Sequence, residues 1–294
     1  MHINSISEYN ALRGAGTQHP LVSVMDYAKV KRLPPGNYNM NLYAIILKEI
    51  KCGELKYGRG HYDYQEGTLV FLAPGQVIGV PKTPEYTVTG GLGLFFHPDL
   101  IKGTPLGRHI DEFHFFSYEV NEALHLSEKE KQIVYDCFHK VQYELEQSID
   151  KHSKKLIAAN IELFLGYCTR FYDRQFITRD TANKGILEKF EHLLNDHFQS
   201  GKPHSDGLPS VAWCAGKLHL SANYFGDLIR KETGKSAQEY IQQKLIDVAK
   251  ERVLQIDKSI SEVAYELGFK YPQHFTRLFK QKTGVTPNEY RGLN

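Results

Sequence analysis

The stretch Tyr271-Pro-Gln-His-Phe-Thr-Arg-Leu-Phe-Lys-Gln-Lys-Thr-Gly-Val-Thr-Pro-Asn-Glu-Tyr290 repeats, fifty residues on, the pattern of Ser221-Ala-Asn-Tyr-Phe-Gly-Asp-Leu-Ile-Arg-Lys-Glu-Thr-Gly-Lys-Ser-Ala-Gln-Glu-Tyr240. Six of the twenty positions are identical: Phe225/Phe275, Leu228/Leu278, Thr233/Thr283, Gly234/Gly284, Glu239/Glu289 and Tyr240/Tyr290. At an offset of 49, Val211, Cys214, Ala215 and Leu218 lie over Ile260, Val263, Ala264 and Leu267, both sets at i, i+3, i+4, i+7. That spacing predicts a short amphipathic helix ahead of each repeat. The one-residue difference falls in the turn between the helices, where an insertion is cheapest.

Each copy therefore reads as a short helix with a small residue (Ala215, Ala264), a tight turn, and a second helix ending at Thr-Gly, where glycine takes the left-handed conformation that stops a helix. Gly268 stands in the turn of the second copy. Two short helices joined by such a turn form a helix-turn-helix, whose second helix enters the major groove of DNA. Ser236–Leu254 between the copies is roughly 18 helical residues, about 27 Å at 1.5 Å per residue. Recognition helices about 34 Å apart on one face of DNA enter successive major grooves. A duplicated helical bundle built for stability alone is the competing reading. Against it, the outer side of the last repeated helix displays Gln273, Thr276, Arg277 and Lys280. Gln and Arg pair bidentately with adenine and guanine, and Lys meets phosphate.

Working outward, Ile186, Phe190, Leu193, Leu194 and Phe198 mark one more amphipathic helix before the Pro-, Gly- and Ser-rich stretch Gln199–Pro209. An all-helical domain is expected over 184–294. From Leu208 to Asn294 there are 13 Lys and Arg against 9 Asp and Glu, so the overall formal charge of +2 hides a basic C-terminal third. Such a bias fits a nucleic-acid surface and also fits solvated helices. Upstream, Ser127-Glu-Lys-Glu130 opens a helix carrying Ile133, Val134, Phe138, Val141 and Leu145. A second helix follows with Leu156, Ile157, Ile161, Leu163, Phe164, Tyr167 and Cys168 on one side. This surface serves either to pack on the N-terminal domain or to hold a second subunit, and a homodimer through these helices is expected. Before Tyr118 the short apolar runs Leu42–Ile50, Thr68–Leu72 and Gly91–His97, separated by Gly and Pro turns, read as strands of a sandwich or small barrel.

The chain of 294 residues is 41% hydrophobic and 24% charged, the balance of a globular protein with a real core. Met1–Glu8 lacks the basic stretch and apolar run of a secretory leader, and no run approaches the roughly 18 residues of a membrane span. Cys52, Cys137, Cys168 and Cys214 are too scattered for a disulfide framework or a zinc site. A cytoplasmic location and no membrane contact are expected.

Ile260-Ser-Glu-Val-Ala-Tyr-Glu-Leu-Gly-Phe269, Phe275–Lys280 and Thr283–Arg291 together resemble the AraC/XylS family of bacterial transcription regulators. The resemblance covers about a hundred C-terminal residues, including the weaker first copy. It implies seven helices in two subdomains joined by a long helix, with double-stranded DNA as partner and, for an activator, RNA polymerase. By position it assigns base reading to Gln273, Thr276 and Arg277, and to Asn223, Gly226 and Asp227 in the first copy. Two features of the first copy depart from this. Gly226 has no side chain to reach a base, and Asp227 suits only a cytosine amino group. Leu245, beside Lys244, stands where the family usually carries an arginine, and Pro272 stands where some members place a polar reader. Most specific contacts are therefore expected from the second copy, with Arg230, Lys231, Lys270, Lys280 and Lys282 on phosphates.

His61–Val77 resembles the cupin-type sensor barrel common in this family, which gives an α+β multidomain chain: a cupin-like barrel with dimerisation helices over 1–178, then the all-α domain with two helix-turn-helix motifs. Such barrels often hold a small-molecule effector. Tyr43, Tyr57, Tyr62, Tyr64 and Phe71 either line its pocket or are plain core. A cupin is also able to be a metal enzyme, and His61, Asp63 and Glu66 lie close together. The histidine that a metal cupin needs after Pro74-Gly75 is Ile78 here, and nothing in the spacing recommends His97 or His109 as substitutes. No metal, no other cofactor and no enzymatic activity are expected.

Overall fold

The computed structural model describes residues 1–49, 56–57, 60–61, 67–80, 90–119, 122–178, 180–199, 203 and 207–293. The chain divides into two compact units, Met1–Thr178 and Arg179–Asn294.

The first unit is built on β4 (Tyr43–Glu49), whose apolar run Tyr43–Leu47 is what a strand covered on both faces requires. It pairs antiparallel with β7 (Thr68–Leu72) and β9 (Gly90–Phe96), and β10 (Leu124–His125) and β2 (Val22–Asp26) complete a five-stranded sheet of order β10-β7-β4-β9-β2. A second sheet has the order β1-β3-β8, from His2–Ile3, Gly36–Met40 and Val77–Val80, and β5 (Lys56–Tyr57) pairs with β6 (Gly60–His61). The described strands thus form two open sheets and a two-stranded ribbon, with no closed barrel among them.

Alternation along β4 sends its residues to two different cores. Ala44 and Ile46 join Met25, Phe95 and Leu72 under helix α1 (Ile6–Arg13), with Tyr38 and Met40 of the second sheet closing the cluster. Tyr43 and Phe71 face the opposite way. Tyr43 stacks on Phe96 at 4.9 Å between ring centroids and meets Phe116 edge-on, while Phe71 packs on Phe115, Phe116 and Tyr172. Tyr172 belongs to a long helical pair. After the short α2 (Pro98–Ile101) and α3 (Pro105–His109), α4 (Glu128–Glu146) packs on α5 (Ser153–Thr178). Ser127 and Glu130 close a capping box at the start of α4, and Arg174 of α5 grips Glu130 through two nitrogens, at 2.6 and 3.0 Å. Phe138 meets Phe164 edge-on at 5.2 Å, and Ile161 and Phe164 are fully buried. The expected subunit surface is corrected accordingly: Ile161 and Phe164 are consumed in this chain's own core. The large apolar groups left outside on these helices are Tyr143, Leu156, Leu163 and, at the end of α5, Ile177, 62%, 46%, 45% and 65% exposed. Burial pushes the Cys137 thiol up to about 11 and Cys168 well above its ordinary value, so both behave as small apolar core groups.

The second unit is helical: α6 (Asp180–Gln199), α7 (Val211–Lys217), α8 (Ala222–Thr233), α9 (Ala237–Val253), α10 (Ile260–Glu266), α11 (Pro272–Thr283) and α12 (Pro287–Leu293). Helix α9 is the hub and packs against α6, α8, α10, α11 and α12. Ile241, Leu245, Ile246, Ala249 and Val253 give it a broad buried apolar face. Leu245, in place of an arginine, is therefore an interior residue, 2% exposed, while the neighbouring Lys244 is half-buried. Among the described residues no helix is long and apolar enough to cross a membrane.

Candidate nucleic-acid interface

The two repeats fold into the same local structure, and the six repeated identities explain why. Phe225 and Phe275 are fully buried. The hydroxyl of Thr233 donates to the carbonyl of Ile229 at 2.7 Å, and that of Thr283 to Phe279 at 2.8 Å. Gly234 and Gly284 then stop the helices with φ of 70° and 87°, their N–H groups bonding back to Arg230 and Lys280. Glu239 and Glu289 accept from the backbone N–H of Ser236 and Thr286 at 2.9 and 2.7 Å, and those hydrogen bonds hold both carboxyls below the usual carboxylate range. Tyr240 hydrogen-bonds Glu191 of α6 and packs on Phe190, and Tyr290 meets Phe279 edge-on at 5.5 Å.

The turns match as well. In the first copy the Leu220 N–H reaches the Ala215 carbonyl at 3.0 Å, and in the second the Phe269 N–H reaches Ala264 at 3.0 Å. The left-handed residue is Gly268 in one turn (φ 91°) and His219 in the other (φ 58°). Sequence reading missed His219, which as a non-glycine gives no left-handed signal. Glycine is required at 268 for a second reason: a Cβ there would lie 2.8 Å from the Pro203 carbonyl oxygen.

This scaffold turns one face of α8 and one face of α11 to solvent. On α11 the face carries Gln273, Arg277 and Lys280, all exposed, and Thr276, half-buried with its hydroxyl donating to the Pro272 carbonyl at 3.2 Å. On α8 the equivalent positions are Asn223 and Arg230, exposed, and Gly226 and Asp227, half-buried. Lys231 and Lys282 are exposed near the ends of the two helices. Lys270 is exposed at the start of α11 with its ammonium 5.8 Å from the Tyr271 ring centre. Pro272 occupies the first helical turn, where no N–H is needed. Helix α9 between the copies has 17 residues, about 25 Å of axis.

The other proposed site residues lie elsewhere. Tyr43 and Phe71 sit in the packed aromatic cluster behind the sheet, and Tyr57 ends β5. Tyr62, Tyr64, Asp63 and Glu66 fall outside the described residues. His61 ends β6 and Ile78 packs against the α1 core. His97 caps α2, accepting from the Asp99 N–H at 3.2 Å, and His109 ends α3. Among the described residues no three His, Cys, Asp or Glu side chains are grouped to hold a metal ion.

Comparison with known proteins matches residues 214–292 to a family model described as a helix-turn-helix domain. The chain is 32% identical over 124 residues to the uncharacterized transcriptional regulatory protein YesN of Bacillus subtilis, a match spanning 41% of this chain and 32% of that protein. It is 23% identical over 268 residues to the transcriptional activator RhaS of Citrobacter koseri, spanning 84% of this chain and 92% of RhaS. Among solved structures, the C-terminal domain of the response regulator yesN from Fusobacterium nucleatum is 27% identical, covering 34% of this chain and 96% of that one with a TM-score of 0.30. The C-terminal unit of this chain thus carries a helix-turn-helix domain.

Proposed function

We propose that the chain is a sequence-specific DNA-binding transcription regulator of the AraC type, whose N-terminal unit senses a small molecule. The observation that carries this reading is the pair of equivalent helices, α8 and α11, held by one shared helix with polar faces outward. Base reading falls to Gln273, Thr276 and Arg277, with Asn223 and Asp227 secondary. Arg230, Lys231, Lys270, Lys280 and Lys282 fix the register on phosphates. The likeness to RhaS, a transcriptional activator, along most of both chains supports a regulatory role for the whole chain and RNA polymerase as a further partner. We read the 1–178 unit as a cupin-like sensor that needs no catalytic metal, working in the cytoplasm. Tyr143, Leu156 and Leu163 form the surface on which a homodimer would close.

Selection of genomic DNA fragments by the purified chain tests the reading. A recurring motif of two half-sites about one helical turn apart is expected. Recovery of fragments without sequence enrichment would overturn it. Light scattering of the same sample at micromolar concentration should give twice the chain mass, and a strict monomer with and without DNA removes the dimer.

A further inference from the structure

Arg13 ends α1 and is 8% exposed, yet its guanidinium makes no hydrogen bond or ion pair with any described residue, and its Nε is enclosed without a partner. Arginine has no neutral form to retreat to, so a buried guanidinium stays charged. Burying such a charge without a counter-ion is costly. Two features offset part of that cost: the C-terminal end of α1, and the Tyr27 ring, whose centre lies 4.8 Å from the guanidinium carbon. Neither accepts the in-plane N–H groups, whose fork matches the two oxygens of a carboxylate or phosphate.

The surroundings are built around this group. Tyr9 and Tyr27 bring their hydroxyls together beside Arg13, and burial pushes the Tyr9 phenol up to about 12 and Tyr27 well above its usual value. The Tyr27 hydroxyl lies flat over Gly93 of β9, where a Cβ would come within 2.5 Å of it. Gly93 pairs with Ile46, so Lys48 is the next side chain along that face of β4, about 7 Å on. Lys48 is half-buried, pairs across the sheet with Thr68 and Gly91, and has no carboxylate partner among the described residues. Burial holds its ammonium below the ordinary lysine range. The nearby carboxylate Asp26 is taken by Lys29 at 3.3 Å. This core face, which also holds the Tyr9 and Tyr27 hydroxyls, thus carries two cations and no described anion.

We infer that the N-terminal unit binds a small organic molecule through its oxyanion group, a carboxylate or phosphate, gripped by Arg13 with Lys48 and the Tyr9–Tyr27 pair beside it. This deepens the sensor reading and rests on it only for the consequence of binding. The site moves the effector from the Tyr43–Phe71 side of the sheet to the α1 side.

Thermal unfolding of the full chain with matched probes tests it: benzoate against benzamide, and phenyl phosphate against phenol, each at about ten times a millimolar dissociation constant. One anion should raise the melting temperature by about 3 °C or more while its neutral twin does not, and which anion responds separates carboxylate from phosphate. Arg13→Met should abolish the response while leaving the ligand-free melting temperature unchanged or higher, since it removes a buried unpaired charge. Arg13→Lys should keep part of the response. Should Arg13→Met fail to fold, Lys48→Met must still weaken the anion's effect. Equal response to both twins, no response to either anion, or a response that survives in Arg13→Met overturns the site. Adding the active anion to a DNA titration separates the two readings. Unchanged DNA affinity would end the sensor role and leave the site standing.

Discussion

The two helix-turn-helix copies share a skeleton and differ on their surfaces. Phe225/Phe275, Thr233/Thr283, Gly234/Gly284 and Glu239/Glu289 do the same work at the same places. The outer faces diverge at every equivalent position: Asn223 against Gln273, Gly226 against Thr276, Asp227 against Arg277, Arg230 against Lys280. The residues that stayed alike are those the fold needs, and the face that changed is the one turned to solvent. Only the second copy combines an amide with a guanidinium one turn apart, so that both project from one side of the helix. The first keeps cations for phosphate at its far end, while the acid in its middle suits only a cytosine amino group.

If the skeletons are equivalent, truncating the same core ring in either copy should cost the same. Phe225→Ala and Phe275→Ala should each lose about 3–5 kcal/mol in chemical denaturation. A difference of more than about 2 kcal/mol between them would show one copy to be a softer appendage. The turns sharpen the contrast. Gly268→Ala forces a Cβ against the Pro203 carbonyl at a φ of 91° and should cost about 2–3 kcal/mol. At the matching position His219→Gly relieves a left-handed residue in open surroundings and should stay within about 1 kcal/mol of wild type. The caps should give the smallest and most nearly equal effects, about 1 kcal/mol each for Ser236→Ala and Thr286→Ala. Because the paired glutamates titrate below the usual carboxylate range, their share of the capping is fully present above that range and is lost as the pH falls beneath it to their lowered folded-state values.

Much of the helical unit was legible because its signals are local: the i, i+3, i+4, i+7 spacing, the Thr-Gly stops and the Ser/Thr-x-x-Glu starts each report on neighbours a turn away. Strands were found for a similar reason, and Tyr43–Glu49, Thr68–Leu72 and Gly90–Phe96 fall within a residue of the apolar runs read for them. What local pattern leaves open is the face. Tyr43 and Phe71 read as pocket lining or, more readily, as core, and the sheet turns them to Phe96, Phe115 and Phe116. Ile161 and Phe164 looked available for a partner until α4 covered them. Helix α1 was missed although its start was written in Asn4-Ser5-Ile-Ser-Glu8: the Ser5 hydroxyl caps Glu8, the Glu8 carboxylate takes the Asn4 N–H, and Gly14 ends the helix in the left-handed region. Read only for its lack of leader features, that stretch hid Arg13. No sequence signal marks its lack of a counter-ion, which depends on Tyr27 and β9 arriving from elsewhere in the chain.

The claim that the second copy carries most of the base reading is tested most directly by titrating wild type, Arg277→Ala and Asp227→Ala against the preferred DNA site and its single-base variants at two salt concentrations. Arg277→Ala should weaken binding about ten- to a hundredfold, the worth of one bidentate arginine–guanine pair, and flatten the preference at one base pair. Lys280→Ala, run alongside, should weaken every site alike and lower the salt slope by about one phosphate's worth. Asp227→Ala should leave the preferences unchanged and bind as tightly as wild type or tighter. Intact preferences in Arg277→Ala together with their loss in Asp227→Ala would contradict the account and make α8 the reading helix.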